Sequence, residues 1–173
     1  MASGPLDGTR VLEFTQIIAG PLGCQLLSDL GADVIKVEPP EGEAWRVAAQ
    51  FMPYESKAFH TLNRGKQSLA IDIRQPEAQE VIHRLVRDID VVVINYRPDV
   101  AAHLRIDYET LCGIRPDIIY VDNTAFGRLG EMAGRPGYDI VVQAMCGLIA
   151  LGGKVDERGV PVVPPPFADT TTA

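Results

Sequence analysis

The 173-residue sequence contains few cysteines, few histidines and no long hydrophobic run. Its three cysteines, Cys24, Cys112 and Cys146, are odd in number and widely spaced. This spacing argues against a disulfide framework or a zinc site and favours buried thiols in a reducing cytoplasm. The three histidines also lack the spacing of metal ligands, so we expect no metal site.

The absence of long apolar runs bears on the cellular location. No run approaches the roughly 20 residues that a helix needs to cross a bilayer. The N-terminal stretch MASGPLDGTR does not have the basic and then apolar pattern of a signal peptide. We therefore expect a cytoplasmic protein with no membrane partner.

Positive charge is the other scarce property. Lysine and arginine total 16 against 23 aspartates and glutamates, which gives a net charge of −7. This balance argues against a nucleic-acid partner. An acidic protein can still bind an anionic ligand, but it must gather its cations locally. The length and the 46% hydrophobic content suit one domain with a real core.

Short β-branched runs alternate with helical patterns along the whole chain. Strands are predicted at 10–15, 33–38, 68–73, 90–95 and 118–124. Helices are predicted after the first strand and at 75–89, 107–114 and 138–153. Segment 41–65 has no clear periodicity, and the proline-rich tail predicts an extended chain. The alternation predicts an α/β fold with a mostly parallel, Rossmann-like sheet flanked by helices.

The turn after the first strand does not match the dinucleotide-binding fingerprint. That fingerprint needs G-x-G-x-x-G, whereas Gly20 and Gly23 stand as G-x-x-G with Pro21 between them. Glu38 follows at the distance of a ribose-binding acid, but the failed spacing disfavours a nicotinamide or flavin site. No arrangement of serine or cysteine with histidine can be argued either. Carboxylates remain as nucleophiles that can attack an activated acyl group.

Several cations lie next to predicted strands. Arg64 and Lys66 precede one strand, Arg74 follows it, and Arg97 follows another. Each alone is equally compatible with a solvated surface cation. Their clustering in loops favours a phosphate-binding site, because ligands of open parallel sheets collect at the carboxyl ends of strands and these side chains supply the donors.

Seven segments in a fixed order carry a resemblance to a known family. They are PLDGTRVLEFT, AGPLGCQLLSDLGADVIKVEPPEGEAWR, LNRGKQSLAIDIR, DVVVINYRP, IDYETLCGIRPDIIYVDNTAFG, GYDIVVQAMCGL and FAD. Together they cover nearly the whole chain and resemble the class III (CaiB/BaiF-type) CoA-transferase family, which includes the α-methylacyl-CoA racemases.

The resemblance assigns a role to Asp169, which otherwise reads as a residue on a fraying tail. It implies that Asp169 is a nucleophile that exchanges CoA between an acyl-CoA and a small carboxylic acid through an aspartyl anhydride and an aspartyl-CoA thioester. Coenzyme A is then a substrate and not a prosthetic group. Neither ATP nor a metal is needed. An aspartate is ionised at neutral pH and needs no base to activate it.

The resemblance also implies that CoA lies along the carboxyl ends of the strands. The predicted contacts are Gln16, Ala19, Ile71, Arg74, Asn95, Tyr96 and Arg97. Gln16 and Ala19 are expected at the thioester end.

Two alternatives to the transferase remain open. The racemases of the family use a histidine in a GHD segment, which here reads GYD with Tyr138. Tyrosine is a poor base at neutral pH, so this difference favours the transferase and leaves Tyr138 as a possible substrate contact. The second alternative is an inactive CoA-binding or scaffolding fragment.

Family members are longer and form interlinked homodimers. We therefore expect this chain, 1–173, to be the CoA-binding N-terminal portion of such a protein, without its second domain, or one half that a C-terminal chain complements. On that basis the segment Pro164–Pro166 should run extended, and Asp169 should lie at a poorly held, largely exposed end.

Overall fold

A computed structural model describes residues 4–48, 50–52, 55–162 and 165–173. The strands are β1 (Arg10–Phe14), β2 (Asp33–Glu38), β3 (Gln50–Met52), β4 (Glu55–Ser56), β5 (Gln67–Ala70), β6 (Val91–Ile94) and β7 (Ile119–Asp122). The helices are α1 (Ala19–Asp29), α2 (Ala44–Val47), α3 (Lys57–Asn63), α4 (Pro76–Val86), α5 (Pro98–His103), α6 (Tyr108–Ile114), α7 (Asp139–Met145), α8 (Leu148–Leu151) and α9 (Phe167–Thr171).

Five strands form one parallel sheet in the order β5-β2-β1-β6-β7. Val11 of β1 pairs with Val34 of β2 on one side and with Val91 of β6 on the other. The predicted parallel sheet and its five strands are confirmed. The chain leaves β1 toward one edge of the sheet and later returns to build the other edge from β6. The carboxyl ends of β1 and β6 therefore flank the crevice where ligands of open α/β sheets bind.

Alternating residues of the strands pack against helices on opposite faces of the sheet. Leu12, Phe14 and Ile94 belong to the larger core, which also contains residues of α4, α5 and α6. Val11 and Val34 pack on the other face with Cys24 of α1. Both faces are covered at the centre of the sheet, and β6 accordingly is a continuous apolar run, VVVI.

The α1 face of the sheet also buries three charged side chains. The Glu13 carboxylate lies 3.0 Å from the Lys36 ammonium and 2.8 Å from the Lys66 ammonium, and all three side chains are at most 2% exposed. Lys66 also donates to the Pro21 carbonyl and the Asn63 side chain. Lys66 is therefore neither a solvated cation nor a phosphate ligand, as the sequence had suggested, but a buried counter-ion of Glu13.

Two stretches differ from the sequence-based expectation. Segment 41–65 is not irregular: it contains α2, the antiparallel pair of strands β3 and β4, and α3, whose first turn is capped by Ser56 accepting a hydrogen bond from the Phe59 N–H. Helix 138–153 is interrupted, because Gly147 adopts a left-handed conformation (φ 81°) between α7 and α8.

The cysteines are free thiols, as expected, but only Cys24 is buried; Cys112 is half-buried and Cys146 is exposed. Across the residues that the structure describes, no helix is long and apolar enough to span a bilayer.

Candidate active site

A cavity of about 840 Å³ opens at the carboxyl ends of the parallel strands. Its walls are the loops that follow β1, β2, β5 and β6, together with segment 136–139 and Asp169. The predicted residues that line it are Gln16, Ile71, Arg74, Asn95, Tyr96, Arg97, Tyr138 and Asp169. Ala19 is the exception: it begins α1, is buried and does not line the cavity.

The loops after β1 and β6 are joined at the crevice between the two strands. The Gln16 N–H donates to Asn95 Oδ1 at 3.1 Å, and Asn95 Nδ2 donates to the Gln16 carbonyl at 2.8 Å. Because both partners are backbone groups of Gln16, the Asn95 amide can satisfy them in only one orientation. This pair fixes the backbone of Gln16 at the cavity wall.

Ile17, the next residue, has an unusual backbone conformation for a β-branched residue, with φ of 74°. Its N–H donates to the Glu43 carboxylate at 3.1 Å. Burial raises the pKa of Glu43, and the Lys36 ammonium at 3.8 Å opposes that rise. Glu43 thus holds a strained turn that lines the cavity, and the sequence gives no periodic or motif signal for this role.

Asp169 lies in the short helix α9 and not in an extended tail. Pro166 precedes the first residue of α9 and its ψ of 72° departs from the extended range, so the chain turns into a helix here instead of continuing an extended run. Pro164 lies outside the described residues. The expectation of a largely exposed, poorly held Asp169 is also wrong, because the residue is half-buried and its N–H donates to Asp139 Oδ1 at 2.9 Å.

The electrostatic environment of Asp169 disfavours its charged form. Burial raises the pKa of the Asp169 carboxyl, and the negative charge of Asp139 raises this pKa further. A reaction that consumes the negative charge of Asp169 relieves both effects. Such a carboxylate is suited to nucleophilic attack on a carbonyl carbon.

The two arginines of the cavity each pair with a carboxylate two residues away. Arg74 Nε lies 2.7 Å from the Asp72 carboxylate, and an Arg97 guanidinium nitrogen lies 2.7 Å from that of Asp99. Hydrogen bonds from Arg74 lower the pKa of Asp72 to about 2. Arg64 lies outside the cavity and pairs with Asp29. The predicted cluster of cations is therefore reduced to two arginines, both partly neutralised.

The other acidic and aromatic residues of the cavity have distinct surroundings. Glu38 accepts two hydrogen bonds of 2.6 Å from Arg46 and one of 2.5 Å from Ser68, so its carboxylate is already engaged and does not resemble a free ribose ligand. The Tyr138 side chain is exposed at the start of α7, so it is not merely a packing aromatic. Burial raises the pKa of Tyr96, and the charges of neighbouring carboxylates add to this rise.

Among the cavity residues that sequence reasoning did not single out are two titratable ones, His103 at the end of α5 and Asp139. Asp139 is the first residue of α7, and only the fold reveals its contact with Asp169. Among the described residues, no group of three or more histidine, cysteine, aspartate or glutamate side chains is placed to hold a metal ion.

Comparison with known proteins identifies the family. The model of CoA-transferase family III matches residues 6–173. The chain is 41% identical over 160 residues to a succinate–glutarate CoA-transferase of Agrobacterium fabrum, covering 88% of this chain and 40% of that protein. It is 38% identical over 154 residues to an acetyl-CoA:oxalate CoA-transferase of Acetobacter aceti, with the same two coverages.

A solved structure agrees with these sequence relatives. The crystal structure of a CAIB/BAIF family protein from Brucella suis superposes with a TM-score of 0.86 at 40% identity, over 96% of this chain and 45% of that one. The chain thus spans about two fifths of the length of the curated relatives that it matches. It belongs to CoA-transferase family III.

Proposed function

We propose that the protein transfers CoA from an acyl-CoA to a carboxylic acid, with Asp169 as the nucleophile. The observation that carries this proposal is the half-buried Asp169 carboxylate, which faces the same cavity as Arg74 and Arg97 in a chain of this family. The arginines are suited to the phosphates of CoA, and Asp169 is suited to its thioester.

The reaction follows from the chemistry of a carboxylate. An oxygen of Asp169 attacks the thioester carbon, the C–S bond breaks, and CoA leaves as a thiolate. The product is an anhydride between Asp169 and the acyl group. The thiolate then attacks the aspartyl carbon, which releases the donor acid and forms an aspartyl-CoA thioester.

The second half reverses these steps with the acceptor. The acceptor carboxylate attacks the aspartyl carbon and displaces CoA thiolate, which then attacks the acceptor acyl carbon. The new acyl-CoA leaves and the Asp169 carboxylate is restored. Every step exchanges one activated acyl group for another, so no ATP is consumed.

The acceptor is proposed to be a small dicarboxylic acid. The relatives compared above are named for glutarate, succinate and oxalate, which are all dicarboxylates. A screen of dicarboxylic against monocarboxylic acids, with succinyl-CoA as donor, distinguishes these classes.

We further infer that this chain forms the CoA-binding portion of a longer homodimeric, cytoplasmic protein. Large exposed apolar side chains support contact with additional protein; they include Ile119 on β7, Leu129, Met145 on α7 and Leu151 on α8. Sedimentation of the full-length protein tests the dimer, and a monomer at micromolar concentration would contradict it.

The nucleophile is tested by Asp169→Asn in the full-length protein. The amide keeps the shape of the side chain but cannot attack the thioester, so transfer should be abolished. Binding of CoA should stay within about 1 kcal/mol of wild type, since the arginine contacts remain. Mass spectrometry after incubation with acyl-CoA should show a covalent adduct on Asp169 of the wild type. An adduct mapped to Asp139, or near-normal turnover of the variant, would refute the assignment.

A further inference from the structure

Gln143 is a fully buried polar side chain in a helix that is otherwise partly exposed. It is 0% exposed, and it is the one buried residue of α7. Burying an amide is costly unless its polar atoms find partners, so an apolar residue would fill this space more cheaply. The hydrogen bonds of Gln143 are therefore the feature to explain.

Both donors of the Gln143 amide are used. Its Nε2 donates to Asp139 Oδ2 and to the Pro165 carbonyl, the latter at 3.0 Å. Both partners only accept, so reversing the amide would aim its oxygen at two other oxygens. The chemistry of its neighbours thus fixes the orientation of the Gln143 side chain.

These two hydrogen bonds help to attach the segment that carries the proposed nucleophile, Asp169. Asp139 uses its other oxygen to accept the Asp169 N–H. Pro165 is two residues before the first residue of α9. Among the described residues, the hydrogen bonds that join segment 165–173 to the rest of the chain are those from Gln143 to Pro165 and from Asp169 to Asp139. Gln143 therefore makes the first and braces the acceptor of the second.

We propose that Gln143 is a positioning residue for Asp169, which sets where the carboxylate points without touching the substrate. Gln143 does not line the cavity, so it acts through Asp139 and through the turn into α9. This proposal rests on the proposed function for its effect on turnover, but the positioning itself can be measured without catalysis.

Two variants of the full-length protein separate the hydrogen bonds from the volume of the side chain. Gln143→Met keeps the volume and loses both donors. Gln143→Glu keeps the shape but faces two acceptors with a carboxylate. In each, kcat should fall at least tenfold while the Kd for CoA changes less than twofold, because the arginines lie elsewhere in the cavity.

A pH series distinguishes positioning from general damage. Lowering the pH protonates the new glutamate, which then donates one hydrogen bond. The kcat of Gln143→Glu relative to wild type should therefore rise as the pH falls, whereas that of Gln143→Met should stay low. Gln67→Glu is the matched control: Gln67 Nε2 also donates to a carboxylate, that of Asp33 at 2.6 Å, but neither residue lines the cavity. It should behave like wild type.

Amide hydrogen exchange gives a readout that does not depend on catalysis. Exchange at the Asp169 N–H should become at least tenfold faster in both Gln143 variants, because Asp139 is no longer braced. A wild type with slow exchange but no CoA transfer would refute the proposed function and leave the positioning role standing. Wild-type exchange and wild-type kcat in Gln143→Met would overturn the positioning role, even if Gln143→Glu failed to fold.

Discussion

Replacing Glu13 with glutamine tests how the buried ions on the α1 face contribute to stability. Glu13 is the carboxylate between Lys36 and Lys66, and Thr15 also donates to it at 2.5 Å. The amide keeps the size of the side chain and can still accept from Thr15. It removes the negative charge, so two buried ammonium groups are left without this partner.

The size of the effect follows from the burial of the three side chains. Removing one partner of a buried ion pair typically costs about 3–5 kcal/mol of unfolding free energy. A second estimate of this free energy comes from the lysines themselves, because a buried lysine can lose its proton and become neutral. Deprotonating a lysine of ordinary pKa at pH 7 costs roughly 4.6 kcal/mol. This is the upper limit of the destabilisation by one unpaired buried lysine, because the lysine loses its proton when burying the charge would cost more. We therefore expect Glu13→Gln to destabilise the protein by about 3–5 kcal/mol at pH 7.

The pH dependence of the loss identifies its cause. Burial already lowers the pKa of Lys66, and Glu13 opposes this, so the variant should lower that pKa further. A lysine with a lower pKa in the folded than in the unfolded state makes stability rise with pH between the two values. At pH 9 the ceiling for one lysine falls to roughly 1.9 kcal/mol, so the loss should shrink by up to about 3 kcal/mol.

Urea denaturation of wild type and variant at pH 7 and pH 9 measures both quantities. Glu80→Gln, on the exposed side of α4, is the control and should stay within about 0.5 kcal/mol of wild type. A loss below 1 kcal/mol at pH 7, or one of equal size at both pH values, would show that the lysines do not carry a stranded charge.

Three further predictions concern the cavity and the core. Charge reversal in Arg74→Glu or Arg97→Glu should weaken CoA binding by at least about 1 kcal/mol, or fivefold in Kd. Asp99→Asn should release Arg97 and strengthen CoA binding. If calorimetry finds the Kd for CoA unchanged in all three variants, CoA does not bind in this part of the cavity. Asp139→Asn removes a negative charge that raises the pKa of Asp169. The acid limb of the pH profile of kcat, where Asp169 becomes protonated and inactive, should therefore move to lower pH. If the acid limb does not move, another group causes it. The Cys24 thiol, whose pKa burial raises strongly, should react with a thiol reagent only after unfolding, and rapid labelling of the native protein would contradict the packing of α1.

The parallel sheet was predictable because the β-branched composition of its strands and their burial on both faces of the sheet favour the same structure. Runs such as DVVVINY are β-branched and continuous, which is what a strand buried on both faces requires. Segment 41–65 was missed because its elements are short, and α2 has only four residues. Elements of this length are held by tertiary contacts, here Glu38 with Arg46, and leave little periodic pattern.

The site was predictable where it depended on strand ends and not where it depended on pairing across the fold. The residues 95–97 reach the cavity because they follow a buried strand. Lys66 also adjoins a strand, but it lies at the start of β5 and its side chain reaches Glu13 across the sheet. No spacing in the sequence separates these two outcomes, because the partner of Lys66 is 53 residues away. The same holds for Asp139 and Asp169, which are 30 residues apart.

The paired arginines reconcile an acidic cavity with an anionic ligand. The Arg74–Asp72 and Arg97–Asp99 pairs lie at the surface, where ion pairs contribute little to stability, so little is lost when they open. A phosphate accepts charge-assisted hydrogen bonds from the same guanidinium groups, so it can take the place of the carboxylate. The released carboxylate then repels the phosphate and weakens its binding. We therefore expect the arginines alone to contribute modest binding energy for the proposed CoA ligand, and the apolar wall near Ile71 and Ile17 to contribute the rest.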